Sequence, residues 1–254
     1  MRLAALVGAL LLGASSACAE TLIASLSTSR VLISSNYTGS SVVVFGTIER
    51  DAQTVSRAGG YDVIVTVRGP KQTLVVREKQ PIGPIWVNRA ERTFEEMPAY
   101  LAVLSSSPLD AITTEPLRRR LRVGLEGMVD PSGSTANPTP KEDTRFREAL
   151  LRIEQRAGLY FLEERGVSFL TRTVFRSPIP VPATAPPGNY DVEIALFADN
   201  ALLSRTHTSF ELVKTGFEQR VAVMARDWSA AYGAATAGVA LLFGWLASVI
   251  FRRD

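Results

Sequence analysis

The chain has 254 residues, 46% of them hydrophobic, with 28 Lys and Arg, 25 Asp and Glu, one histidine and one cysteine. The basic excess sits at the ends: without Arg2, Arg252, Arg253 and Asp254 the totals fall to 25 and 24. The body is then nearly neutral, which gives no case for nucleic acid as a partner. A lone histidine with a lone cysteine excludes zinc sites of the usual kinds.

The N-terminus, MRLAALVGALLLGASSACAE, has the three parts of a secretory signal over 1–19. Arg2 supplies the positive start, Leu3 to Leu12 the apolar core, and Ala17-Cys18-Ala19 a small-residue cleavage site before Glu20. That core is too short to span a bilayer, which needs ~20 residues. An alternative processing would acylate Cys18 as a lipoprotein; Ser15 then sits where such signals prefer a large aliphatic residue. On the first reading the only cysteine leaves with the leader. The mature chain would rely on burial, with no disulfide or thiol chemistry.

Residues 20–110 read as a β-sandwich unit. TLIASLS, RVLISSN, SVVVFGTIE, YDVIVTVRGP, TLVVRE, IWVN and AYLAVLSS are short runs broken by turn residues such as Asn36 and Gly39. In YDVIVTVRGP, Tyr61, Val63, Val65 and Val67 fall on one face, and Gly69-Pro70 ends the run. Seven such runs suggest an antiparallel sandwich of immunoglobulin type, without the Cys…Trp…Cys core of antibody domains.

Residues 111–166 change character. In TTEPLRRRLRVGLEG, Thr114 is placed to cap a helix with Pro116 in its first turn, and Leu117, Leu121 and Leu125 share a face. The loop DPSGSTANPTP precedes KEDTRFREALLRIEQRAG, where Phe146, Ala149, Leu150, Ile153 and Ala157 form an apolar stripe and Gly158 is a stop. A second, shorter β unit covers 167–227, with Asp199-Asn200 as a hairpin tip. It could be completed by the helices or by the first unit.

The tail, YGAATAGVALLFGWLASVIFRRD, has no charge from Tyr232 to Phe251. That length fits a ~30 Å hydrocarbon layer, so 228–251 is expected to be a transmembrane helix and 252–254 a cytoplasmic stub. Arg252 and Arg253 place the C-terminus in the cytoplasm by the positive-inside rule. Gly233, Ala237, Ala240, Gly244 and Ser248 recur at three- and four-residue steps and offer a helix-packing face. Gly and Ala are also common in membrane helices for other reasons.

The fold class expected is therefore mainly β with a helical insertion: one or two immunoglobulin-like sandwich units and a single C-terminal transmembrane helix. No catalytic, metal or cofactor set is found. His207 lies in LLSRTHTSFEL with Arg205 and Ser209 on its face, and reads as a solvent-facing strand histidine. Glu95-Glu96 and Glu163-Glu164 are sequence neighbours, which does not set two carboxyls across a substrate. No phosphate-binding glycine loop or nucleophile elbow is present. Arg118, Arg119, Arg120 and Arg122 are the one dense basic cluster, able to hold an anion or lipid headgroups, or to lie as a solvated face with packed stems.

SLSTSRVLISSNYTGSSVVVFG, DVIVTVRGP, IWVN, FREALLRIEQRAGLY, PIPVPATAPPGNYDVEIALF and YGAATAGVALLFGW together resemble a family of alphaproteobacterial transmembrane proteins that carries no assigned activity. The resemblance implies no catalytic residues. It implies a membrane-protein partner, since members of the family are often encoded beside a permease of the sulfite or organosulfonate exporter class. The expected function is that of a non-enzymatic inner-membrane protein with a periplasmic body, docked on such a partner or self-associated in the bilayer. A binding module for an anionic small molecule or glycan is the alternative, and an unrecognised hydrolase a third.

Overall fold

The computed structural model describes residues 20–34, 37–49, 60–129, 140–214, 226 and 229–250, with backbone alone for 140–143, 231, 235, 249 and 250. The expected signal peptide, Asn36, Trp228, Phe251 and the stub 252–254 lie outside the described residues. The chain divides into two units. One runs to Val31 and resumes over Thr38–Leu212; the other takes Leu32–Tyr37 and the chain from Val213 onward.

The chain is mainly β, and the first unit is built on two sheets. The four-stranded sheet has the order β1 (Thr21–Leu26), β3 (Ser40–Glu49), β10 (Val174–Val181), β9 (Ser168–Phe169). The six-stranded sheet has the order β2 (Arg30–Ile33), β12 (Ala201–Lys214), β11 (Gly188–Ala198), β4 (Asp62–Arg68), β7 (Leu101–Ser105), β8 (Tyr160–Glu164). The sequence left open whether 20–110 and 167–227 are separate β units. The register joins them: β3 pairs with β10, and β4 with β11.

Alternation explains the smaller sheet. In β3, Val42, Val44, Gly46 and Ile48 are buried while Phe45 and Glu49 are exposed. In β10, Phe175, Ser177, Ile179 and Val181 are buried, and Pro178 and Pro180 point outward. Those prolines cannot donate to a ladder, and β9 pairs only at Phe175 and Arg176, short of both. Gly46 lies opposite Phe175, whose ring covers it; a Cβ there would meet the ring at 2.2 Å.

The larger sheet is different. Tyr61, Val63, Val65 and Val67 share a face as expected, yet Ile64 and Thr66 between them are buried too. Both faces of β4 and β7 are covered. The second cover is a hydrophobic cluster that joins Ile64, Leu101, Val103 and Phe197 of the sheet to Phe146, Leu150, Val76 and Phe94. Those last four come from α4 (Pro140–Arg156) and a hairpin, β5 (Lys71–Ile82) with β6 (Ile85–Pro98).

The hairpin continues the β4–β7 pair after a bend. Gly69 N–H donates to the Tyr100 carbonyl at 2.8 Å and Ala99 N–H to the Pro70 carbonyl at 2.7 Å. Gly69 is needed at the bend, because a Cβ would sit 2.9 Å from that of Tyr100.

The expected single helix after Thr114 is two pieces, following α1 (Leu109–Ile112). Arg122 adopts φ 52° and ends α2 (Glu115–Leu121); α3 (Leu125–Met128) starts after Gly124. Gly158, at φ 70°, follows the C-terminus of α4. After this helical crossover β8 joins β7 in parallel, which a hairpin could not achieve. An immunoglobulin-type sandwich is antiparallel, so the parallel β8 and the protruding hairpin depart from that expectation. Asp199 and Asn200, at φ 50° and 61°, form the expected tip between β11 and β12.

Aromatic side chains tie the sheets together. Tyr100, fully buried, donates its hydroxyl to the Pro180 carbonyl on β10. Its ring lies 5.5 Å from that of Tyr190, which stacks on Phe210 at 5.0 Å. Tyr100→Phe keeps the packing and deletes one hydrogen bond, so denaturant unfolding should show a loss of about 1 kcal/mol. Tyr100→Ala should cost about 3–5 kcal/mol, in the range for aromatic truncation in a core.

Candidate functional site

Three places in the first unit concentrate polar side chains. Two arginines of the cluster proposed from sequence lie on the wall of a groove of about 950 Å³ between α2, α3 and α4. Arg118 and Arg119 line it, joined by Arg147 and Arg152 from α4. Arg120, exposed, and Arg122, at the C-cap of α2, are not among its lining residues. The guanidinium of Arg118 is held by Asp110 at 2.5 Å and Glu115 at 2.5 Å, and Arg119 reaches Glu115 at 2.7 Å. Glu115 is accordingly held below the usual carboxylate range, first by its bond from Arg119 and then by Arg118. With Glu126 and Glu148 also on the walls, the groove carries mixed charge.

The second place was not singled out in the sequence. Glu193, on the central strand β11, is buried and accepts from Arg68 at 2.7 Å and Arg205 at 2.9 Å. The register explains the geometry. Arg68 stands opposite Asp191 and Arg205 opposite Ala195, so each arginine reaches Glu193 along a diagonal from a neighbouring strand. The signal was available: Glu193 interrupts the apolar run VEIALF. A carboxylate buried in that run needs paired charge. His207, exposed on β12, is the direct cross-strand neighbour of Glu193.

The carboxylate pairs do not converge on a cleft. Glu96 has φ 54° at a register shift in the hairpin and pairs with Lys71 at 3.0 Å. Glu163 and Glu164 are exposed on β8. Among the described residues no group of three His, Cys, Asp or Glu side chains is placed to hold a metal ion.

The third place is Glu154 on α4. The expected stripe predicted Ile153 and Ala157 inward, but both are exposed, and Glu154 is buried after Phe146 and Leu150. These three lie at four-residue steps, along the line that faces the sheet. Burial pushes the Glu154 carboxyl above its usual pKa. Tyr160 nearby donates to the Pro98 carbonyl at 2.6 Å; its pKa is raised by burial and then by the Glu154 charge.

The second unit contains α5 (Ser229–Ile250). Gly233, Ala237, Ala240, Gly244 and Ser248 are all exposed on it. The rest of the helix is no less open: Leu241 is 75% exposed, Phe243 69% and Trp245 67%. Its apolar residues are not confined to one face.

Comparison with known families decides the kinship. The family model described as "Putative transmembrane protein (Alph_Pro_TM)" matches residues 21–253. The chain belongs to this family. No curated protein and no solved structure matches it. Among the described residues no helix is long and apolar enough to cross a membrane. The transmembrane helix expected over 228–251 is therefore not found among the described residues.

Glu154 gives the site a testable pH dependence. Its folded-state pKa lies above the unfolded value near 4.5. The folded form therefore resists ionisation, and stability falls as pH rises from the ordinary carboxylate range through the raised value. Below that range both states are protonated and the penalty vanishes. Glu154→Gln should raise the unfolding midpoint at neutral pH and leave it nearly unchanged in acid, read by denaturant titration across pH.

Proposed function

We propose that this protein is a β-rich extracytoplasmic body fixed to the bacterial inner membrane by one helix, 228–251, and that it serves as an accessory or docking partner of another membrane protein. The observation that carries this reading is the open, uncharged α5. The support comes from the sequence: the uncharged run from Tyr232 to Phe251 has the ~20 residues that a ~30 Å hydrocarbon layer needs.

A helix that is apolar all round belongs in a core or a bilayer. Val239, Leu241, Leu242, Phe243, Trp245 and Leu246 are all exposed, and hiding a large apolar side chain is worth about 1.5–3 kcal/mol. Leaving these six in water would cost on the order of 10 kcal/mol, comparable to the stability of a whole domain. Lipid removes that cost. Arg252 and Arg253, next after the helix in sequence, orient its C-terminus toward the cytoplasm.

The docking role rests on the small-residue face of α5 and on how polar side chains are used elsewhere. Gly233 and Gly244 have nothing within 4 Å of where a Cβ would stand, so a second helix could approach their backbone closely. A permease of the sulfite or organosulfonate exporter class is the partner that the family resemblance suggests, and a second copy of this chain is the other. A two-sheet body of broadly immunoglobulin-like kind suits docking as well as it suits binding. The mixed charge of the groove favours docking over capture of a small anion, since Arg118 already meets two carboxylates.

Crosslinking in intact cells tests the reading. Gly244→Leu should lower recovery of the captured membrane partner, or of the self-crosslinked dimer, while the chain stays membrane-inserted. Recovery equal to that of the unmodified chain would remove the packing role of this face.

A further inference from the structure

The β5–β6 hairpin ends in a surface that the function above does not use. Its base packs into the core through Val76, Phe94 and Met97. Beyond the Glu78↔Ala90 pair the two strands continue for four more pairs, Lys79↔Asn88 to Ile82↔Ile85, or ~14 Å at ~3.4 Å per residue. The turn is Gly83-Pro84, with Gly83 at φ 61°, a backbone that fits the first central position of a tight hairpin turn.

This tip is apolar and open. Ile82 is 55% exposed, Ile85 60% and Trp86 69%. No charge occurs over 80–88, and Lys79 and Arg89 flank that run. The charges just below are matched: Arg77 with Glu91 at 3.1 Å, and Glu78 with Arg145 at 2.6 Å. No ion pair with a described residue holds Lys79 or Arg89, both exposed.

We infer that the hairpin tip inserts into the interface of an anionic lipid bilayer. Three features of the tip point to lipid rather than to a protein groove. Tryptophan is favoured at the headgroup level, where its ring is half apolar and its N–H stays hydrated. Isoleucines at the turn would reach the upper acyl chains. The two unmatched cations sit one step behind, at the depth of the phosphates, where each attracts anionic headgroups by about 1 kcal/mol. The inference does not depend on α5: it concerns a second membrane contact, made by the β body itself.

The test uses the full chain with Trp228→Phe and Trp245→Phe, which leaves Trp86 as the one tryptophan of the three. The protein is reconstituted into vesicles of phosphatidylethanolamine and phosphatidylglycerol, with and without bromine-labelled acyl chains. The inference predicts blue-shifted Trp86 emission, quenching by the brominated lipid and protection from aqueous iodide. It further predicts that Lys79→Glu with Arg89→Glu restores iodide access. Emission that stays open to iodide and insensitive to bromolipid would overturn it. So would shielding from both quenchers, which would mean a protein surface covers the tip. Retention of the chain in the vesicles reports on α5 separately, so failure of the span and failure of the tip are distinguishable.

Discussion

The body depends on a sheet that is buried on both faces. Strands β4 and β7 carry almost nothing polar between Val63 and Val67 or between Leu101 and Leu104, so each face must be covered. The smaller sheet covers one, with Phe175 and Ile179 inward; α4 and the root of the β5–β6 hairpin cover the other. Burial of this kind is the main term that offsets chain entropy in a chain whose single cysteine can form no internal disulfide. The polar residues that remain inside follow from the same constraint. Glu193 is tolerated on β11 because Arg68 and Arg205 reach it from both sides, and Ser177 is tolerated on β10 because its hydroxyl donates to the Gly166 carbonyl.

Much of this is legible in the chain, and the reason is periodicity. Val42, Val44 and Ile48 alternate with outward residues, and a period of two reads directly as a one-sided strand. Asp199-Asn200 and Gly158 are visible because their backbones take positive φ, which few residue types accept. What escapes the sequence is long-range. Nothing local says that β3 pairs with β10 more than a hundred residues away, or that β4 is a central strand rather than an edge. The prolines at 178 and 180 are accommodated on β10 because β9 pairs only at Phe175 and Arg176.

The candidate sites were harder to read, for a physical reason. The arginine run at 118–122 looks like a reservoir of positive charge, but its partners Asp110 and Glu115 sit on separate turns of chain and are brought together only by the break after Ile112. Glu154 was hidden by a helix stripe drawn one position off: the buried line runs through 146, 150 and 154 rather than on to Ile153. At the hairpin tip only the run IWVN is legible as strand, because exposure is a tertiary property that a composition of Ile, Pro and Trp does not announce.

The central claim is that α5 lives in lipid. Its uncharged length, its exposed aromatic and aliphatic residues and the family to which the chain belongs all bear on it. Extraction of cell membranes at alkaline pH is the most direct measurement. The full chain should remain in the membrane pellet, and a chain ending before Ser229 should leave it for the supernatant. Release of the full chain by the same wash, without detergent, would contradict the account.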